Sequence, residues 1–154
     1  YSLADRHIED DLLPTARELG VGIVAFGVLL SGLIGGSSQE EKLKSIGQRI
    51  SPEALATMKA NLVRTDALKQ IAVEKGATLA QLAIAWVLAQ GEDIIALVGS
   101  RTASQIKDTI QALNVKLTKE DLDRIKRIMP KEEATCSYML DVDIDSKGLF
   151  HAKQ

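Results

Sequence analysis

Two uncharged apolar runs, each followed at once by a glycine turn, constrain the fold of this chain more than any other feature. The first, VGIVAF at 21–26, leads into a glycine-rich loop at 27–38, and the second, IIALV at 94–98, leads into Gly99-Ser100-Arg101. Neither run alternates with polar residues, so each predicts a strand buried on both faces, as in a parallel sheet. The length of 154 residues is enough for one ordinary domain.

Helical patterns lie on both sides of the first run. Apolar side chains at helical spacing predict a helix from Ile8 to Leu19, with Asp5 as its N-cap. Gly20 follows at the position where a helix C-terminus favours a left-handed residue. Residues 39–48 predict a short helix exposed to solvent.

Cap signals mark the starts of the remaining helices. Ser51-Pro52-Glu53 predicts the start of a helix that runs, with or without a break, toward Lys75 and stops at Gly76. Capping boxes at 78–81 and 102–105 open two more helices, and Thr118 opens the last one, which ends before Pro130. Strands separated by helices predict parallel neighbours joined by right-handed crossovers. Two such strands leave unpaired edges and uncovered apolar faces, so we expect a partner to complete the sheet.

Composition excludes several classes of function. The net charge of −2 and the 3% aromatic content argue against binding to nucleic acid or to an anionic membrane surface. Glycines interrupt the longest apolar stretch, so membrane insertion is not expected. The single cysteine, Cys136, cannot form an internal disulfide, and no secretory signal is present, so we expect a cytoplasmic protein. Cys136, His7 and His151 are too widely separated to form a zinc motif.

Three segments resemble the C-terminal half of an aldo-keto reductase. They are EDDLLPTARELGVGIVAFGVLLSGLIGG, EKGATLAQLAIAWVLAQGEDIIALVGSRTASQIKDTIQAL and LTKEDLDRI, and the similarity covers roughly residues 1–129. The first loop resembles that of the potassium-channel β-subunit-like branch, which also includes bacterial oxidoreductases. The family fold is a (β/α)8 TIM barrel. The resemblance therefore implies an α/β chain that contributes the end of strand six, strands seven and eight, and their helices.

This interpretation implies that the chain is incomplete as a barrel. Residues 1–130 would form the C-terminal half of the barrel, and residues 131–154 a C-terminal arm or loop. The sequence begins at Tyr1 in mid-pattern. We therefore expect a fragment, a processed product or the ordered part of a longer protein.

The resemblance implies that NADP(H) lies across the C-terminal mouth of the barrel. Phosphate sites in such barrels are commonly built from the loops after strands seven and eight. Phe26 would stack on the nicotinamide, and Gly27 replaces a serine near the diphosphate. The family pattern L-x-x-G-x-[LI]-x-G is matched by four further residues: Leu29, Gly32, Ile34 and Gly36. A lysine that often contacts the 2′-phosphate is replaced by Ser37, so NAD(H) is not excluded as the cofactor.

The second loop matches the family pattern G-[AST]-R through Gly99, Ser100 and Arg101. Arg101 would supply the charge that suits the 2′-phosphate of NADP(H). The following helix resembles a Q-x-x-E-N pattern that holds the adenine end, with Gln105, Asp108 and Thr109 at the matching positions. Threonine there cannot donate the amide hydrogen bonds of asparagine.

The family's aspartate, tyrosine, lysine and histidine catalytic set has no counterpart in this chain. His7 is interpreted as a solvated surface residue, Tyr138 has no partner that could tune it, and Trp86 is interpreted as core. The sequence thus predicts cofactor-binding residues, no catalytic residue and no metal ligand.

Three functional hypotheses remain open. The first is an NADP(H)-dependent reductase of aldehydes or ketones whose catalytic half lies elsewhere, with a small carbonyl compound as substrate. The second is a nucleotide-binding, redox-sensing or scaffolding subunit. The third is an inactive half-barrel. In the third hypothesis the partner is a second copy of the chain. In the first hypothesis the partner is the N-terminal half of the barrel.

Overall fold

Two short parallel strands, β1 (Ile23–Ala25) and β2 (Ile94–Ala96), pair in the register that aligns Ile23 with Ile94. Their parallel pairing confirms the prediction. The computed structural model describes residues 1–36, 39–48, 50–134, 142–144 and 150–152. Within these ranges, the chain forms the helices α1 (Leu12–Glu18), α2 (Gln39–Gly47), α3 (Pro52–Ala67), α4 (Lys69–Glu74), α5 (Leu79–Leu88), α6 (Ala103–Ile110) and α7 (Lys119–Ile128). Short 3₁₀ turns lie at His7–Glu9, Leu30–Gly32, Gln111–Asn114 and Lys131–Glu133.

The first helix begins later than the sequence pattern predicts. Asp11 caps α1 by accepting the backbone N–H of Leu12 at 2.5 Å, whereas Asp5 lies 2.6 Å from Nδ1 of His7. The prediction of Asp5 as N-cap is therefore wrong. The reason is Pro14, which has no N–H and is tolerated only in the first turn of a helix. A helix that started near Ile8 would place Pro14 in its interior.

The other cap predictions are confirmed. The hydroxyl of Ser51 accepts the N–H of Ala54 at 3.1 Å. Thr78, Thr102 and Thr118 each accept the backbone N–H of the residue three positions later at 3.2 Å. These local hydrogen bonds satisfy orphan donors at the helix starts, and they place α5 and α6 directly before and after β2.

Only one face of the sheet is covered by the described helices. Ala25 and Ile94 are buried in the core, whereas Val24 and Ile95, on the opposite face, remain 58% and 64% exposed. The described helices pack on a single side, so the described residues bury one face of each strand and leave the other as the uncovered apolar face expected for two strands alone. Taken one at a time, none of the helices in the described ranges is both long enough and apolar enough to cross a membrane.

The core is built around α5, the most apolar helix. Leu82, Ala83 and Val87 are fully buried, and Trp86 is only 3% exposed, which confirms the interpretation of Trp86 as core. The Trp86 ring packs against the Tyr1 ring with centroids 5.4 Å apart, and the Arg6 guanidinium lies 5.1 Å from the centre of the Trp86 ring. These contacts fix the first residues of the chain against α5.

Residues after Ala134 are described only in two short strands. β3 (Val142–Ile144) pairs antiparallel with β4 (Phe150–Ala152), where an extended arm or loop was expected. Cys136, Tyr138 and the aspartates at 141 and 145 lie outside the described residues.

A buried ion pair on α7 gives the fold an acid-sensitive contact. Asp121 is buried, contacts Nζ of Lys75 and accepts hydrogen bonds from the N–H and hydroxyl of Thr118 at 2.7 and 2.8 Å. Burial alone would raise the pKa of the Asp121 carboxyl, but the hydrogen bonds from Lys75 and Thr118 outweigh it and lower the pKa to about 2.

We expect Asp121 to stabilise the fold above pH 4 and to lose this contribution in acid. The native pKa of about 2 lies below the ordinary value of 3.8, so the contribution is fully present above 3.8 and disappears as the pH falls toward 2. The free energies of unfolding of Asp121→Asn and of the unchanged protein, measured with urea, should therefore converge as the pH is lowered from about 4 toward 2. Asp123→Asn, at an exposed position of the same helix, is the control; a pH-independent gap for Asp121→Asn would contradict the prediction.

Candidate functional site

The loops that follow β1 and β2 line one cavity of about 450 Å³. Parallel strands bring their carboxyl ends to the same edge of a sheet, which explains why the two glycine turns meet. The described residues that line this cavity are Phe26, Gly27, Val28, Leu29, Ser31, Gly32, Lys42, Leu97, Val98, Gly99 and Arg101.

The first loop turns repeatedly through left-handed backbone. Gly27, Gly32 and Gly35 have φ of +72°, +81° and +71°, and the non-glycine residues Leu30 and Ser31 have φ of +46° and +56°. Two consecutive left-handed residues that carry a Cβ are a source of backbone strain, which persists only where the surroundings enforce it. Here the surroundings are the core, because the side chain of Leu30 is almost completely buried.

Buried side chains fix this loop against the core, while other residues of the loop line the cavity. Leu33 and Ile34 lie in the core beside Leu30, and the N–H of Ile34 donates to the carbonyl of Leu29 at 3.2 Å. Ile34 therefore anchors the loop and does not line the cavity. Gly36 is not among the lining residues either. The other predicted residues of this segment, Phe26, Gly27, Leu29 and Gly32, do line it.

Gly35 holds the loop against the first turn of α5. A Cβ at this position would lie 2.9 Å from the backbone nitrogen of Ala80, and the backbone is left-handed as well. Gly35→Ala should lower the free energy of unfolding by roughly 1 kcal/mol more than Gly27→Ala, through overpacking. Gly27→Ala is the matched control, because Gly27 has a similar φ and open space around it. Chemical denaturation measures both, and equal losses would show that the contact with Ala80 is unimportant.

Phe26 directly follows β1 and is 54% exposed at the mouth of the cavity. Its backbone is held, since the carbonyl of Phe26 accepts a hydrogen bond from the backbone nitrogen of Tyr1 at 2.9 Å. Tyr1 is itself buried against Trp86, and its hydroxyl donates to Glu9 at 2.6 Å. The aromatic ring is thus presented from a rigid backbone position.

The second loop is organised by Gln105. Its side-chain oxygen accepts the backbone N–H groups of Arg101 and Thr102 at 2.7 and 3.3 Å. Gln105 therefore fixes the backbone from which the exposed Arg101 side chain extends, and it is not among the lining residues. Gly99 lines the cavity, whereas Ser100 does not.

Two predicted residues of α6 lie outside the cavity lining. Asp108 is engaged by Gln81 of α5, whose side-chain nitrogen donates to the carbonyl and to Oδ1 of Asp108 at 3.0 and 2.7 Å. Thr109, next to it on α6, is not among the lining residues. The Asp108 contact ties α6 to α5, a structural role that the sequence pattern did not reveal.

Five of the described lining residues were not predicted from the sequence, and Lys42 of α2 is the charged one among them; the others are Val28, Ser31, Leu97 and Val98. Its ammonium group donates to the carbonyl of Gly32 at 3.0 Å, so α2 folds back across the first loop. A lysine on an exposed helix carries no signal of this kind, because most such lysines are solvated. His7, by contrast, is half exposed beside Asp5, as expected, and does not line the cavity.

The chemistry of the cavity favours an anion with a flat ring. Lys42 and Arg101 are cationic, and none of the described lining residues is an aspartate or glutamate. The lining glycines carry no side chain that would keep a ligand from the backbone, and the Phe26 ring offers a stacking surface. A phosphate-bearing ligand with an aromatic or nicotinamide-like ring fits this combination.

Comparisons with known proteins were made for the sequence and for the fold. The chain is 35% identical over 130 residues to the uncharacterized oxidoreductase YrpG of Bacillus subtilis (strain 168), and 37% identical over 135 residues to the probable aldo-keto reductase 1 of Glycine max. The aligned parts are 84% of this chain but 39% and 38% of those proteins. The chain thus spans about two fifths of the length of these relatives.

The fold is similar to that of solved aldo-keto reductases. The crystal structure of one from Klebsiella pneumoniae, in complex with NADPH, matches with a TM-score of 0.59 at 24% identity, over 84% of this chain and 37% of that one. A thermostable aldo-keto reductase in complex with the inhibitor epalrestat gives a TM-score of 0.57, also at 24% identity, over 83% of this chain and 37% of that one. A model of the aldo/keto reductase family matches residues 1–130, a range that contains both cavity-lining loops, and the chain therefore belongs to the aldo/keto reductase family.

Proposed function

We propose that this chain is the cofactor-binding part of an NADP(H)-dependent oxidoreductase that reduces aldehydes or ketones to alcohols. The observation that carries the proposal is the cavity shared by the two strand-end loops, with Phe26 at its mouth and Lys42 and Arg101 in its lining. Membership of the aldo/keto reductase family supports it. So does the NADPH bound in the Klebsiella pneumoniae protein of similar fold.

The lining residues have separate tasks in this proposal. Phe26 would support one face of the nicotinamide, and the backbone at Gly27 and Gly32 would follow the diphosphate, where side chains would obstruct it. Arg101 would bind the 2′-phosphate, held in place by the contact of its backbone with Gln105. When bound, the cofactor supplies the hydride that reduces the carbonyl carbon.

We also propose that the chain corresponds to the end of strand six, strands seven and eight, and their helices in a (β/α)8 barrel. The bare apolar sheet face is the surface that further strands would cover, and Val24 and Ile95 are its exposed residues. The acid and base groups of the reaction would then come from the N-terminal half of the barrel. A second copy of the chain is the alternative source of cover.

The test is reduction of a simple aldehyde by the full-length protein with NADPH, followed as loss of reduced cofactor. Turnover supports the reductase. Tight NADPH binding without turnover of any aldehyde or ketone would instead favour the redox-sensing or scaffolding subunit. A full-length protein that binds neither NADPH nor NADH would refute the proposal.

A further inference from the structure

We propose that Lys42 is a phosphate-binding residue of this cavity and that it holds the diphosphate part of the ligand from helix α2. The inference deepens the proposed function and rests on it for the identity of the ligand. The assignment of Lys42 itself stands on four features of the cavity: the position of the ammonium group, the way α2 is held, the charge of the lining and the glycines of the first loop.

The first observation is that side chains tie α2 to the first loop. The Lys42 ammonium donates to the carbonyl of Gly32 at 3.0 Å, and the side-chain nitrogen of Gln39 donates to the carbonyl of Leu33 at 2.5 Å. No residue of α2 is buried. Two partly buried apolar side chains of α2 also pack against the core, so α2 is held both by this packing and by its polar contacts with the first loop.

The second observation is the charge around Lys42. A lysine ammonium has three donors, and Gly32 accepts one of them. Within the described residues, neither Lys42 nor Arg101 forms an ion pair, although many other cations of the chain do. Both line the same cavity without a lining carboxylate. A ligand with two separated anionic groups would satisfy both cations, with Arg101 on one group and Lys42 on the other.

The third observation explains two glycines of the first loop. A Cβ at Gly32 would lie 2.5 Å from the Lys42 ammonium nitrogen, and one at Gly36 would collide with the carbonyl oxygen of Gly32 and lie 3.1 Å from the same ammonium nitrogen. A side chain at either position would crowd the ammonium group. Gly32 therefore leaves room for the lysine to reach the loop backbone, where the proposed diphosphate would pass, whereas Gly36 is required first by the Gly32 carbonyl.

The experiment compares Lys42→Gln with Lys44→Gln in the full-length protein. Lys44 is the matched control, since it lies on the same helix, is 75% exposed and pairs with Glu40. Calorimetric titration with sodium pyrophosphate, and separately with NADPH and NADH, measures the dissociation constants at low salt. We expect Lys42→Gln to raise the dissociation constants of pyrophosphate, NADPH and NADH by about tenfold, and Lys44→Gln to raise them by less than about twofold. Lys42→Arg, which keeps the charge, should recover much of the loss.

The outcomes separate this inference from the proposed function. Pyrophosphate binding that depends on Lys42, without binding of NADPH or NADH, would retain the phosphate site and refute the nicotinamide cofactor. Equal effects of Lys42→Gln and Lys44→Gln would overturn the inference even if NADPH binds tightly. It would also be overturned if the unchanged protein did not bind pyrophosphate. Thermal melts of both variants monitor folding, so that a loss of affinity caused by unfolding is recognised as such.

Discussion

Arg101→Ala in the full-length protein is expected to weaken NADPH binding by roughly 10- to 150-fold and to leave NADH binding within about threefold of its original value. The range corresponds to the loss of one charge-assisted hydrogen bond to phosphate, about 1.5–3 kcal/mol. Arg101 lines the cavity and is placed by Gln105 at the start of α6. Only NADPH carries the 2′-phosphate that this guanidinium would bind, so the effect should be selective.

Fluorescence titration with each cofactor measures this selectivity. Lys107→Ala is the control, because Lys107 is an exposed cation on α6 that does not line the cavity. It should leave both affinities unchanged. Equal weakening of NADPH and NADH by Arg101→Ala would remove Arg101 from the 2′-phosphate role and would instead indicate a contact with the diphosphate.

Together with the Lys42 experiment, this result would assign the two cations separately. Lys42→Gln is expected to affect both cofactors because both carry a diphosphate, whereas Arg101→Ala is expected to affect one. The sequence pattern left the choice between NADP(H) and NAD(H) open at Ser37. The structure adds Lys42, a cation outside the loop, so the comparison of the two variants bears directly on that choice.

Features set by short-range chemistry could be predicted from the sequence. A helix start at Thr78 or Thr102 depends on a hydroxyl and a backbone N–H three residues apart, so the local pattern contains all the information. The turns at Gly20 and Gly76 are also local, and both glycines adopt positive φ. The parallel pairing of the strands followed from the helices between them.

Features set by distant contacts could not be predicted. The count of two strands predicted an uncovered apolar face, but the run at Val24 did not show which face it would be, because burial depends on which elements pack against the strand. The contact of Gln81 with Asp108 joins residues 27 positions apart, and no sequence motif predicts it. Lys42 reaches Gly32 only because α2 folds back over the loop. The start of α1 is an exception. Pro14 is a local signal for a later start, but the prediction followed the apolar spacing instead.

Trp86→Ala is expected to lower the free energy of unfolding of this chain by about 3–5 kcal/mol, the usual cost of removing a large buried aromatic side chain. Trp86 is buried at the point where the Tyr1 ring and the Arg6 guanidinium meet α5. Its removal would leave a cavity that these neighbours cannot refill, since both are held by Glu9 through hydrogen bonds of 2.6 and 2.8 Å. Urea unfolding followed by far-ultraviolet circular dichroism measures the loss.

The same substitution is expected to disturb the position of Phe26 at the cavity. Tyr1 packs on Trp86, and its backbone nitrogen holds the carbonyl of Phe26, the aromatic residue at the mouth of the cavity. Loosening Tyr1 should therefore weaken cofactor binding even where the protein remains folded. Val73→Ala, at a position 75% exposed on α4, is the control and should change stability by less than about 0.5 kcal/mol. If Trp86→Ala matched this control in stability, Trp86 could not be the packing centre that links α5 to Tyr1 and, through it, to Phe26.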